Sequence, residues 1–243
     1  MLASDWPSFR CRLVCIASGV LVAALSVVAA PPALAQEDRI RPVTNADLEN
    51  PSSDDWLMWR RTLDGWGYSP LDQINRENVG DLRMVWSRGL RPGRQQGTPL
   101  VRDGMMFMPN PRDIIQAIDA ETGDLIWEHR RDRPDDLGDY MIGTLTDTNR
   151  NIAIHGELII DTSMDDHIFA LHAETGEVVW DTEILDYRVN PANQTSGPIV
   201  AGGKVFSGRS CDPRGGPTGC VVTAHDAATG EELWRRRLIP APG

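Results

Sequence analysis

The sequence predicts an all-β fold, a β-propeller of four-stranded antiparallel blades, and three observations carry that expectation. The string AIDAETGDLIW, Ala117 to Trp127, returns as ALHAETGEVVW, Ala170 to Trp180, and as AHDAATGEELW, Ala224 to Trp234. Its tryptophans stand 53 and 54 residues apart, a period that marks propellers or solenoids. Upstream of each string lies a second reversal signal, at Asp103-Gly104, His155-Gly156 and Gly202-Gly203. Each unit therefore reads as two hairpins, that is, four antiparallel strands.

Within each unit the short apolar runs IIQAI, HIFAL and CVVTA suit strands buried on both faces. Thr-Gly then makes a tight reversal, because Gly123, Gly176 and Gly230 can take positive φ without steric cost. A further short strand ends in the tryptophan. From the first turn glycine to the Thr-Gly glycine there are 19, 20 and 27 residues in the three units, so the third carries an insertion. The repeated tryptophan reads as a packing residue wedged between neighbouring sheets, not as a chemical group.

A partial copy, NVGDLRMVW from Asn78 to Trp86, has the Gly-to-Trp tail of the motif without preceding strands. It is expected to be an orphan outer strand of the kind that closes a ring. About three blades plus such a strand do not complete a propeller, which typically has about four to eight blades, and an open arc leaves unpaired edges. The missing blades are expected from a longer chain or a partner chain.

The net charge is −11 over 243 residues, with 41% hydrophobic residues. That balance argues against an electrostatic grip on nucleic acid or anionic lipid and is ordinary for a chain with a real core. Residues 1–35 read as an export signal. Arg10 and Arg12 precede an apolar run from Leu13 to Ala30, and ALAQ offers cleavage after Ala35. A retained anchor is the alternative; cleavage leaves no stable membrane span. The residue directly after the cleavage site is Gln36 and not a cysteine, so lipid anchoring is not indicated. Residues 36–55 read as an N-terminal extension and 56–243 as the partial propeller.

Cys11 and Cys15 leave with the signal. Cys211 and Cys220 remain, nine positions apart in the insertion, and in an exported protein they read as a disulfide closing a small loop. Metal binding is the rival reading, but no histidine or third cysteine stands nearby at ligand spacing. The five histidines are scattered, and the NQT sequon at Asn193 reads as coincidence.

These residues resemble the pyrroloquinoline quinone (PQQ)-dependent alcohol dehydrogenases, the quinoprotein methanol and ethanol dehydrogenases. The repeat Ala-x-Asp-x-x-Thr-Gly-x-x-x-Trp is similar to that family's tryptophan-docking motif. YSPLDQINRENVGDLRMVW, Tyr68 to Trp86, is similar to its N-terminal segment and is more specific than the repeat. RPDD, Arg133 to Asp136, and Asn149-Arg150 fall in the family's order, and the likeness runs from Asp54 to Trp234. It implies an eight-bladed periplasmic propeller with PQQ near the axis between a tryptophan and a vicinal disulfide. A Ca²⁺ ion polarises the quinone, an aspartate takes the alcohol proton, and electrons pass to a cytochrome c.

The resemblance places Arg150 where an arginine contacts the quinone, Thr195 where a threonine hydrogen-bonds the cofactor, and Ser207 and Gly208 at the start of the Ser-Gly-x-Glu cofactor loop. It places Gln96 where a glutamate contacts PQQ, so a neutral amide stands for a carboxylate. The calcium glutamate position is Ser210, and Asp212 can substitute as the metal ligand only if the loop shifts. The vicinal cysteines are missing, since GDYMIGTLTD, 138–147, contains none. The stacking tryptophan and the base aspartate fall beyond Gly243, so no catalytic residue is assigned. Two functions follow as expectations: the N-terminal part of a PQQ-dependent dehydrogenase acting on a small alcohol, or a cofactor-less propeller of the same descent that binds other proteins.

Overall fold

A computed structural model describes residues 39–140, 148–192, 194–209 and 219–239. Three four-stranded antiparallel sheets follow one another along the chain, each a simple meander. Blade one holds β1 (Leu100–Arg102), β2 (Met105–Asn110), β3 (Ile114–Asp119) and β4 (Leu125–Arg130). Blade two holds β5 (Ala153–His155), β6 (Leu158–Thr162), β7 (His167–His172) and β8 (Val178–Glu183). Blade three holds β9 (Ile199–Ala201), β10 (Lys204–Gly208), β11 (Val221–Asp226) and β12 (Glu232–Arg237). The third strand of each blade is the motif's apolar run and is buried almost throughout, whereas β8 and β12 are largely exposed.

The hairpin signals fold as their chemistry requires. Asp103 and Gly104 both take positive φ, as do Gly202 and Gly203, the mirror-image turn that matches strand twist. In blade two the pairing of His155 with Leu158 moves the turn one residue on, to Gly156-Glu157, with only Gly156 at positive φ. In the motif turns, Asp119 Oδ1 accepts the N–H groups of Glu121 and Thr122, both at 3.0 Å, and Asp226 does the same for Ala228 and Thr229. This side-chain turn explains the motif's aspartate. His172 replaces it in blade two, its Nδ1 accepting from Glu174 N–H at 3.3 Å.

Each motif tryptophan faces its blade's alanine, Ala117, Ala170 or Ala224, and the ladder slips just after that pair. Its ring then docks onto the next blade. Trp127 is 8% exposed, and its Nε1 donates to Ala173 O at 2.9 Å. A Cβ on Gly176 would lie 2.7 Å from its ring atoms. Trp86 meets Gly123 and Trp180 meets Gly230 in the same way. The Thr-Gly glycine thus serves both the turn and the close approach of an indole. Trp234 has no such cover among the described residues and is 36% exposed.

The orphan segment forms no strand. Val79–Asp81 is a 3₁₀ turn, and Met84 and Val85 are more than four-fifths exposed. Among the described residues no sheet edge pairs with it, so its backbone gains no ladder hydrogen bonds. Only Trp86 is anchored, its Nε1 donating to Ala120 O at 3.1 Å.

The N-terminal residues cross the first turns of all three blades. Arg41 N–H donates to Asp103 Oδ2 at 2.8 Å in blade one. Val43 exchanges two 2.8 Å backbone bonds with Gly156 in blade two. Asn45 Oδ1 accepts from Gly203 N–H at 3.1 Å in blade three. Helix α1 (Asn45–Glu49) follows, and Trp56 pairs with Val101 on β1. Ile40, Val43, Leu48 and Leu57 join the core shared by the blades. Among the described residues no helix is long and apolar enough to cross a membrane.

Candidate functional site

Because every sheet is an antiparallel meander, the start of its first strand, the β2–β3 type of loop and the end of its last strand share one end. The two-residue turns and the Thr-Gly turns share the other. The lead-in segments to β1, β5 and β9 therefore come side by side at the loop end. They are Gln96-Gly97-Thr98, Asn149-Arg150-Asn151 and Thr195-Ser196-Gly197.

Side-chain and backbone bonds stitch the three together. Thr98 N–H donates to Arg150 O at 2.9 Å, and Asn151 Nδ2 donates to Ser196 O at 2.6 Å. Gly197 takes a φ of 72°, and a Cβ there would meet Asn151 O at 1.9 Å; only glycine allows that approach. Arg150 Nε donates to Gln96 Oε1 at 2.9 Å. Its Nη1 donates to the Thr195 hydroxyl and, at 3.2 Å, to the Thr195 carbonyl. One guanidinium thus spans three blades' lead-in segments.

Beside Thr195 lies a groove of about 470 Å³, lined also by Ser207, Gly208 and Arg209 at the end of β10. Ser207 is buried and its hydroxyl donates to Gln194 Oε1 at 3.2 Å. Of the sequence-predicted positions, Thr195, Ser207 and Gly208 line this groove, Arg150 touches Thr195, and Gln96 touches Arg150. Ser210, Asp212 and Cys211 lie outside the described residues, as do 141–147, Asn193 and the expected signal. Cys220, just before β11, is buried.

At the same end of the blades sits a set of charges, most of them buried, that the sequence reading did not identify. Asp161, at the end of β6, is fully buried. It accepts Asn149 Nδ2 at 2.5 Å on one oxygen and Thr162 N–H at 2.7 Å on the other. Asp166, in the β6–β7 loop, pairs with Arg209, which also donates to Asn190 O at 2.9 Å. Arg209 Nε and Nη1 are buried without a partner among the described residues. Arg131, after β4, bridges to Asp165 and, at 2.6 Å, to Asp181 in blade two. The available signal was acids in or beside apolar runs, as in ELIIDTSMDD.

Burial pushes the Asp161 carboxyl well above the usual carboxylate range, and the nearby Asp113 charge adds to the rise. Burial also lifts Asp113 to about 6, against the pull of Arg133, and lifts Asp166 to about 7, against Arg209. Asp181 goes the other way. Burial pushes it up, but hydrogen bonds from His167 and Arg131 hold it down to about 2.

PQQ is a flat ortho-quinone with three carboxyl groups, so its site needs cations, hydroxyls and N–H donors around a slot. The orphaned donors of Arg209, the Thr195 hydroxyl and the Arg150 guanidinium fit that need. No group of three or more His, Cys, Asp or Glu able to hold a metal ion occurs among the described residues.

Fold and site together define a propeller arc with a groove lined by Thr195, Ser207, Gly208 and Arg209, beside the Arg150 bonds. The family model described as "PQQ: Glucose/ethanol/alcohol dehydrogenase, beta-propeller domain" matches residues 56–242, and the chain belongs to that family. It is 35% identical over 227 residues to the alcohol dehydrogenase (quinone), dehydrogenase subunit, of Gluconobacter oxydans, covering 90% of this chain and 29% of that protein. It is 35% identical over 198 residues to methanol dehydrogenase (cytochrome c) subunit 1 of Methylobacterium organophilum, covering 76% of this chain and 30% of that protein. The solved structure of quinohemoprotein alcohol dehydrogenase ADHIIG from Pseudomonas putida matches with a TM-score of 0.73 at 30% identity, covering 84% of this chain and 30% of that one. The chain therefore spans less than a third of the length of these relatives.

Proposed function

We propose that these blades are the N-terminal part of an exported, periplasmic PQQ-dependent alcohol dehydrogenase that oxidises a small alcohol to an aldehyde and passes electrons to a cytochrome. The observation that carries this reading is the bonding of Arg150 to Gln96 and Thr195. Three positions that the resemblance assigns to the cofactor, far apart in sequence, meet beside one groove. Names of the relatives add support: they include quinone-linked, haem-linked and cytochrome c-linked dehydrogenases.

In this reading Arg150 neutralises negative charge on the quinone and Thr195 hydrogen-bonds its rim. Ser207 and Gly208 form the wall of the slot and exclude water from it. PQQ, when bound, supplies a two-electron, two-proton acceptor for the alcohol. Gln96 orients Arg150 by accepting from Nε, without the carboxylate charge that a glutamate would add. Asp212 is our candidate for the metal oxygen ligand, with Ca²⁺ as the ion. Cys211 is our partner for Cys220, a pairing supported by the burial of Cys220. We divide the chain into a signal over 1–35, an extension over 36–55 and the propeller part over 56–243.

The test is reconstitution of the full-length protein with PQQ and Ca²⁺, followed by alcohol-dependent reduction of an artificial electron acceptor. Turnover that disappears in Arg150→Ala, with the fold intact by circular dichroism, is the expected result. Absence of both turnover and PQQ uptake would favour the cofactor-less binding module instead.

A further inference from the structure

The Arg150 side chain is fixed at its tip by Gln96 and Thr195, but its segment also needs an anchor from behind. That anchor comes from the neighbouring residue. Asn149 is 5% exposed, and its Nδ2 donates to Asp161 Oδ2 at 2.5 Å. Asp161 is itself fully buried at the end of β6, where its other oxygen takes the Thr162 N–H. On the far side of the segment, Thr98 N–H holds the Arg150 carbonyl. The arginine backbone is thus clamped between the lead-in of blade one and a carboxylate within its own blade.

A buried acid on a strand whose preceding residues are Leu158, Ile159 and Ile160 is costly to keep. An apolar residue would pack there with less penalty if packing were the only need. Hydrogen-bonded support behind a ligand-contacting group holds that group's geometry, and losing such support typically costs about 10–100-fold in affinity at metal sites. The same logic applies to an arginine that must meet a rigid planar anion.

We propose that Asp161 is a positioning residue for the PQQ site, acting through Asn149 to set the segment that holds Arg150 against Thr195 at the edge of the groove. The inference rests on the reading of that groove as the cofactor site. It assigns Asp161 no contact with cofactor or alcohol. Its effect is on affinity for the quinone, and it is distinct from the contribution of Gln194, which accepts from Ser207, and of Asp166 from the β6–β7 loop, which accepts from Gln194.

The experiment is a fluorescence-quenching titration of the full-length protein with PQQ, run on four proteins. These are wild type, Arg150→Ala, Asp161→Asn and the reciprocal swap Asn149→Asp/Asp161→Asn. Melting temperatures without PQQ are measured alongside. Asp161→Asn is expected to raise the Kd about tenfold. The swap, which again pairs one carboxylate with one amide, is expected to return the Kd to within about threefold of wild type. A purely structural role would lower the melting temperature without such recovery.

Wild-type affinity in Asp161→Asn, with affinity lost in Arg150→Ala, would overturn the positioning role and leave the cofactor reading standing. So would a tenfold loss that the swap fails to repair. If Asp161→Asn does not fold, the swap alone decides, since a tenfold loss in it contradicts the proposal. No PQQ binding by wild type, or equal binding by Arg150→Ala, would instead overturn the cofactor reading and the inference with it.

Discussion

At the turn end of the blades, Arg41, Val43 and Asn45 touch the first turns of blades one, two and three in succession, through backbone bonds and an exposed ion pair. At the loop end of the same strands, Asn149, Asp161, Asp166 and Arg209 are all buried and bonded to one another in pairs. The turn end holds the blades together mostly by shape, with glycines under indole rings and a strap of main chain, and adds the buried ion pair of Arg102 with Asp55. The loop end holds charge in a place where charge is expensive. Stability is therefore concentrated at one end, and the chemical options at the other.

The largest loss at the turn end is expected from Trp127→Ala, which empties the docking site over Gly176. It should cost about 3–5 kcal/mol in denaturant unfolding; a loss below about 1 kcal/mol would mean that the blades are not joined there. Gly176→Ala comes next, at about 2–4 kcal/mol, since the new methyl combines positive φ with overlap on the indole. Equal stability of the alanine variant would remove the double role assigned to that glycine.

The loop end is expected to respond to pH in the opposite sense to ordinary ion pairs. Asp113 has a folded pKa lifted to about 6, above its unfolded value. Its stabilising share is present below the ordinary carboxylate pKa and is lost as pH rises through about 6. Asp113→Asn should therefore raise the melting temperature most at pH 8, less at pH 5, and change it little at pH 3. A larger gain at pH 5 than at pH 8 would contradict that assignment. Asp181, held down to about 2, behaves in reverse, keeping its share until the pH falls from about 4 towards 2.

The smallest effect is expected from Arg41→Ala, because the Arg41 side chain is 71% exposed in its pair with Asp103. Such exposed pairs contribute little, and the neighbouring backbone bonds of the strap remain. A loss as large as that of Trp127→Ala would show that the strap depends on that charge, and the contrast between the two ends would weaken.

Most of the architecture was legible because it repeats. Period, turn glycines and the Thr-Gly motif each recur three times, and the family resemblance added the positions of Arg150, Thr195, Ser207 and Gln96. The strap left no such signal, since its contacts join single residues to turns about 60 to 160 positions away. The segment Asn78 to Trp86 reads as a strand from its pattern, but a strand exists only with a partner edge. Asp161 and Arg209 were missed for a related reason: charged residues usually lie at the surface. Nothing local shows that β6 buries an acid or that β10 ends in a buried arginine.

The most direct test of the account is the structure of the full-length protein equilibrated with PQQ. The account predicts a flat tricyclic ligand in the groove between Thr195 and Ser207, with Arg150 at hydrogen-bond distance from its oxygens. PQQ bound away from that groove, or a groove that stays empty at saturating PQQ, would contradict it.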